Sequence, residues 1–135
     1  MYSHILVPVA YDHDRDEGQP LDIARRLCRD GGKVTFLHVM EEIPGYAINY
    51  MPDNFRDEAR ESIHADLEQR AAGFPNSEAR VVMGHAGRTI VEFAEEHEVD
   101  LIVIASHRPG IGDFFLGSTA ARVVRHAQCS VHVIR

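Results

Sequence analysis

The sequence predicts an α/β fold: a single five-stranded parallel sheet with helices on both faces. Three observations carry that expectation. Short apolar runs rich in β-branched residues recur along the chain, as in Ile5-Leu6-Val7, Val34 to Val39 and Leu101-Ile102-Val103-Ile104. Such runs read as strands buried on both faces. Stretches of helical spacing lie between them, and the alternation ends on a final strand, β-α-β-α-β-α-β-α-β.

Residues 5–9 form the first strand, which ends at or near Pro8. Residues 10–19 are polar and acidic, with Asp12, Asp14, Asp16 and Glu17. Leu21, Ile23, Ala24, Leu27 and Cys28 then recur at helical spacing. That helix is expected to start near Asp16 and to stop at Gly31-Gly32. Residues 34–39 are the second strand. Residues 41–54 carry Pro44, Gly45, Tyr46, Tyr50 and Pro52 and read as a long irregular connection, a kind that often carries function.

Ala59, Ile63, Leu67 and Ala71 place a helix over residues 53–72, which residues 73–76 break. The third strand falls at 79–84, interrupted by Arg80. Thr89, Ile90, Phe93, Ala94 and His97 outline the third helix, beginning near Gly87. Residues 101–105 are the fourth strand, 118–127 the fourth helix and 130–134 the last strand.

Right-handed crossovers leave few topologies for this order. In such sheets ligands bind past the carboxyl ends of the strands, where the strand order reverses. The ends of three strands would line that crevice: Pro8 to Ala10, Val39 with Met40, and Ala105 to Arg108. The stretch 101–121 is the richest in site signals. A buried strand runs into a loop with His107, Arg108, Pro109, Gly110 and Gly112, and Gly117-Ser118-Thr119 then opens a helix. The first N–H groups of a helix have no internal partner, and the macrodipole adds partial positive charge there. Gly117 lets an anion approach the backbone, and Ser118 and Thr119 add hydroxyls. The same residues also fit an ordinary turn with Ser118 as N-cap.

Composition narrows the partners. The 135 residues suit one domain over 1–135, with 44% apolar and 26% charged residues. A formal net charge of −7 argues against general binding to nucleic acid or acidic membranes. Lys33 is the only lysine, so cationic work falls to arginine. No run is long enough to span a membrane and no leader pattern opens the chain, so a cytoplasmic location is expected. Cys28 and Cys129 stand far apart and read as reduced thiols.

Nine histidines show no HExxH spacing, and with two lone cysteines they complete no metal set. His107 stands apart because it lies in the expected phosphate loop, where it suits charge stabilisation or phosphoryl acceptance. The acidic cluster at 12–17 suits either a helix dipole or a divalent cation. Neither GxxxxGK[ST] nor GxSxG is present. The last strand is expected at a sheet edge, where an apolar strand must be covered or paired.

These motifs together resemble the universal stress protein family, nucleotide-binding branch. The likeness runs over all 135 residues. It rests on ILVPV, FLHV, GHAGRTI and, above all, the closing IVIASHRPGIGDFFLGSTAARVVRHAQCSVHVIR. The closing stretch is similar to that of the short enterobacterial members with an ASHRP motif. The resemblance implies a Rossmann-like fold of the adenine nucleotide alpha-hydrolase-like kind, binding ATP or a related adenine nucleotide, with Mg²⁺ as a possible companion. Base and ribose would lie against Pro8, Val9, Ala10 and Val39. The phosphates would meet Ile104, Ala105, Ser106, His107, Arg108, Gly117, Ser118 and Thr119.

The family's signature is Gly-x2-Gly-x9-Gly-[Ser/Thr]. Here Ala105 and Arg108 replace its first two glycines, and only residues 109–116 separate Arg108 from Gly117. Ala10 stands where the family commonly has Asp. The resemblance further implies a cytoplasmic homodimer, joined by antiparallel pairing of the last strand. It would act as a stress-response sensor or regulator with little or no turnover, read by an unknown regulatory protein. The alternatives are a slow ATPase or autophosphorylating enzyme using His107, Arg108 and Ser118, or an interaction module that has lost the nucleotide.

Overall fold

The computed structural model describes residues 1–11, 18–52, 54–106 and 116–135, except for the side chain of residue 48. The acidic cluster at 12–17 and the loop residues His107 and Arg108 therefore lie outside the described residues.

The strands are β1 (Tyr2–Pro8), β2 (Cys28–Met40), β3 (Ser77–Met83), β4 (Leu101–Ala105) and β5 (Ser130–Ile134). The helices are α1 (Gly18–Leu27), α2 (Gly45–Ile48), α3 (Phe55–Ala71), α4 (Ala86–Glu96) and α5 (Ser118–His126). The strands form one sheet in the order β3-β2-β1-β4-β5, and every pairing is parallel.

Each central strand is apolar on both faces because helices cover both. Ile5, Val7, Val34, Phe36, Leu101 and Val103 pack with Ala24 of α1 and with Leu67 and Ala71 of α3. The alternate residues Leu6, Leu37, Ile102 and Ile104 pack with Ile90, Phe93 and Ala94 of α4 and with Ala120 and Val123 of α5. Period-two alternation thus sends neighbouring residues into two separate cores.

The structure corrects the end of the first helix. α1 stops at Leu27, and Gly31-Gly32 lies within β2. Tyr2 pairs with Cys28 while His4 pairs with Lys33, so the register jumps between them. Gly31, at φ 77°, sits in that irregular stretch. The glycines therefore let the strand bulge before the regular pairing that begins at Lys33, in place of capping a helix. The long connection also holds a short helix, α2, that the sequence pattern did not separate.

β3 is an edge strand, which explains Arg80 within it. That side chain is exposed, with its guanidinium 5.5 Å from the centre of the Phe93 ring. β5 forms the opposite edge, as expected for the last strand. Cys28 and Cys129 are both free thiols. Among the described residues no helix is long and apolar enough to cross a membrane.

Candidate functional site

A cavity of about 410 Å³ opens past the carboxyl ends of β1, β2 and β4. This is the point where the sheet order reverses: the chain goes outward from β1 to β2 and β3, then returns to the other side for β4 and β5. Pro8, Val9, Ala10, Val39, Ile104, Ala105, Ser106, Gly117, Ser118 and Thr119 all line it. Leu37, His38, Ala86, Ile90, Leu116 and Ala120 also line it and were not singled out from sequence. Leu37 and Ile90 carried a signal as members of a buried strand and an apolar helix face, but nothing in their pattern placed them at a strand end or a helix start.

The floor is apolar, since Leu37, Ile90, Ile104 and Ala120 are buried core residues. One rim is the start of α5. Its N-cap is Gly117, extended at φ −60°, ψ 156°, with no side-chain capping bond. Ser118 is accordingly the first helical residue, not the cap that the alternative reading required. The first intrahelical bond runs from the Ala121 N–H to the Gly117 carbonyl at 2.9 Å. The N–H groups of Ser118, Thr119 and Ala120 thus have no acceptor within their own helix, and all three residues line the cavity. Arg125 and His126 occupy the last turn, so the charge along α5 is aligned with its dipole.

Ser106 ties this rim to the sheet. Its N–H donates to the Ile134 carbonyl at 2.8 Å and its hydroxyl to the same oxygen at 3.2 Å. Its own carbonyl accepts the Gly117 N–H at 3.3 Å. The Ser106 side chain is therefore engaged with β5.

Glycines bring α4 to the other side. Gly84, at φ 147°, turns the chain out of β3 in a conformation that a side chain would strain. A Cβ on Gly87 would stand 2.7 Å from the Arg122 side chain, so this glycine lets α4 and α5 approach. These contacts give GHAGRTI a packing role that its sequence alone did not show.

His38 holds the opposite wall. Its Nδ1 lies 2.7 Å from the Val9 carbonyl oxygen, which can only accept, so Nδ1 carries the proton. The Val9 N–H donates to the Leu37 carbonyl at 2.8 Å. Next to Val9 and Ala10, the Tyr11 hydroxyl donates to Asp66 Oδ2 at 2.5 Å. Burial, and then the bond to Asp66, push the Tyr11 phenol well above its usual range. The Asp66 carboxyl is held low, first by that bond and further by Arg70.

Among the described lining residues no Asp, Glu, Lys or Arg appears, and His38 is the one with an imidazole. The arrangement offers an apolar slot at one end and uncapped helical N–H donors at the other. It does not bring a nucleophile and a general base together among those residues. No group of three or more His, Cys, Asp or Glu suited to a metal ion occurs among the described residues.

Comparison with known proteins agrees with this architecture. Universal stress protein G of Shigella flexneri is 28% identical over 145 aligned positions, covering 100% of both chains. The solved structure of universal stress protein UspA from Lactobacillus plantarum is 27% identical with a TM-score of 0.73, covering 99% of this chain and 98% of that one. The structure of the universal stress protein from Archaeoglobus fulgidus in complex with dAMP shares the fold at 22% identity and a TM-score of 0.65, covering 99% of this chain and 98% of that one. The model of the universal stress protein family matches residues 1–135, and the chain belongs to that family.

Proposed function

We propose that the cavity binds ATP or a related adenine nucleotide. The observation that carries this reading is the pairing, in one cavity, of an apolar slot with the uncapped start of α5. A flat base and ribose suit the side walled by Pro8, Val9, Ala10 and Val39. Phosphates suit the side formed by Ile104, Ala105, Ser106, Gly117, Ser118 and Thr119, where helix N–H groups and the dipole favour negative charge. His107 and Arg108 follow Ser106 in the chain, and Arg108 would add a charge-assisted contact from that loop. The related Archaeoglobus fulgidus structure holds dAMP, which supports an adenine nucleotide as the ligand class.

The described lining gives Mg²⁺ no carboxylate, so no protein step is assigned to the ion. In this reading the protein is a cytoplasmic stress-response sensor or regulator with little or no turnover. It works as a homodimer through antiparallel pairing of β5, whose outer edge has no neighbour within the chain's own sheet. A regulatory protein would read the bound state.

The test is mass spectrometry of small molecules released on denaturation, with calorimetry of the emptied protein against ATP and AMP. Near-stoichiometric adenine nucleotide, or saturable binding by the emptied protein, supports the reading. A protein that releases none and binds neither overturns it.

A further inference from the structure

The β1 wall of the cavity is fastened from outside. Val9 and Ala10 line the space, whereas Tyr11, the next residue, does not. The Tyr11 ring meets the His38 ring edge to face, with centroids 5.0 Å apart. Its hydroxyl reaches Asp66 Oδ2, the same oxygen that accepts the Arg70 Nε–H at 2.8 Å. The Arg70 guanidinium also lies 5.8 Å from the centre of the Tyr11 ring. Asp66 and Arg70 are one turn apart on α3, so a single carboxylate oxygen joins that helix to the chain leaving β1. His38, on the neighbouring strand, also holds the Val9 carbonyl.

We infer that Tyr11, through Asp66, is a positioning residue for the nucleotide site, setting the course of Val9 and Ala10 without touching the ligand. This role rests on the reading of the cavity as a nucleotide site. The Ala10 side chain carries no polar group to anchor the wall itself. A chain end that leaves a sheet unanchored loses conformational freedom when a ligand orders it, and that loss weakens binding. The Tyr11 bond orders the wall before the ligand arrives. A hydrogen bond to a charged acceptor is among the stronger neutral-to-ion contacts available for this.

The experiment is calorimetric titration of the full chain with AMP and ATP, using wild type, Tyr11→Phe, Asp66→Ala, Asp66→Asn and the Tyr11→Phe/Asp66→Ala double variant. Tyr11→Phe keeps the ring on His38 and removes only the hydroxyl. We expect it to weaken binding about five- to tenfold. Asp66→Ala should match it, and the double variant should be no worse than either single. Asp66→Asn keeps a neutral acceptor for the phenol while losing the charge that strengthens the bond and pairs with Arg70, and should weaken binding less than Asp66→Ala does.

That last variant separates positioning from plain support of α3, because loss of the Asp66–Arg70 pair alone would make Asp66→Asn resemble Asp66→Ala. Tyr11→Phe binding like wild type overturns the inference while leaving the site intact. Asp66→Asn as weak as Asp66→Ala overturns it as well. A wild-type protein with no affinity for either nucleotide overturns the site reading and this role together.

Discussion

Gly117 and Ser106 touch backbone to backbone at the mouth of the cavity. The Gly117 N–H donates to the Ser106 carbonyl at 3.3 Å, and a Cβ at position 117 would lie 3.3 Å from that same oxygen. A side chain at position 117 would therefore crowd the Ser106 carbonyl more tightly than an ordinary contact. Gly117→Val should push the Ser118, Thr119 and Ala120 N–H groups away from the cavity. We expect nucleotide affinity to fall more than about tenfold, since charge-assisted bonds depend steeply on geometry. The proposed homodimer should persist, because β5 is untouched. Calorimetry and size-exclusion chromatography with light scattering measure the two effects, and unchanged affinity would count against this placement of the phosphates.

His4 gives the fold a pH dependence. Its Nδ1 donates to the His97 carbonyl at 3.0 Å and its Nε2 lies 2.8 Å from the Thr35 hydroxyl. Burial is the main cause that lowers its pKa below 6.5, with Lys33 adding to it and the His97 bond opposing. The unfolded chain then binds the proton more readily than the folded one. Stability from this residue is full above the unfolded value and declines as the pH falls below 6.5 towards the lowered folded value. The slope cannot exceed about 1.4 kcal/mol per pH unit for one proton. Urea unfolding between pH 8 and 5 should show a shallower decline for His4→Gln than for wild type; equal slopes would refute the assignment.

Leu67 is fully buried where α3 meets the sheet. Leu67→Ala should cost about 2–5 kcal/mol, as removal of a core side chain leaves a cavity that collapses only partly. Chemical denaturation measures this. A loss under about 1 kcal/mol would mean that α3 packs less tightly than the structure shows.

Among the described residues β5 pairs on one side only, with β4. The homodimer reading predicts a mass of two chains in sedimentation equilibrium at micromolar concentration. A monomer at all concentrations tested would remove the dimer from the account.

Much of this molecule was legible in its sequence. β4 and β5 match the expected ranges: β4 is a short continuous apolar run between polar residues, and β5 alternates Val131 and Val133 with Ser130 and His132. The start of α5 at Ser118 was equally plain from Gly117-Ser118-Thr119. The end of α1 was misplaced because a glycine pair serves a bulged strand as readily as a helix cap, and only pairing with Tyr2 and His4 distinguishes them. Ala86 and Ile90 could not be assigned to the cavity, since their place there depends on Gly87 letting α4 lie against Arg122. His38 read as a strand residue, and its bond to Val9 exists only once β1 and β2 are side by side. His107, Arg108 and the acidic residues at 12–17 remain expectations from the sequence, lying outside the described residues.

The most direct test of the central claim is an amide ¹H–¹⁵N spectrum of the emptied protein titrated with ATP. The account predicts the largest shifts at Ser118, Thr119 and Ala120, with further shifts at Val9, Ala10 and Val39. A spectrum that does not change, or shifts confined to residues away from this cavity, would contradict it.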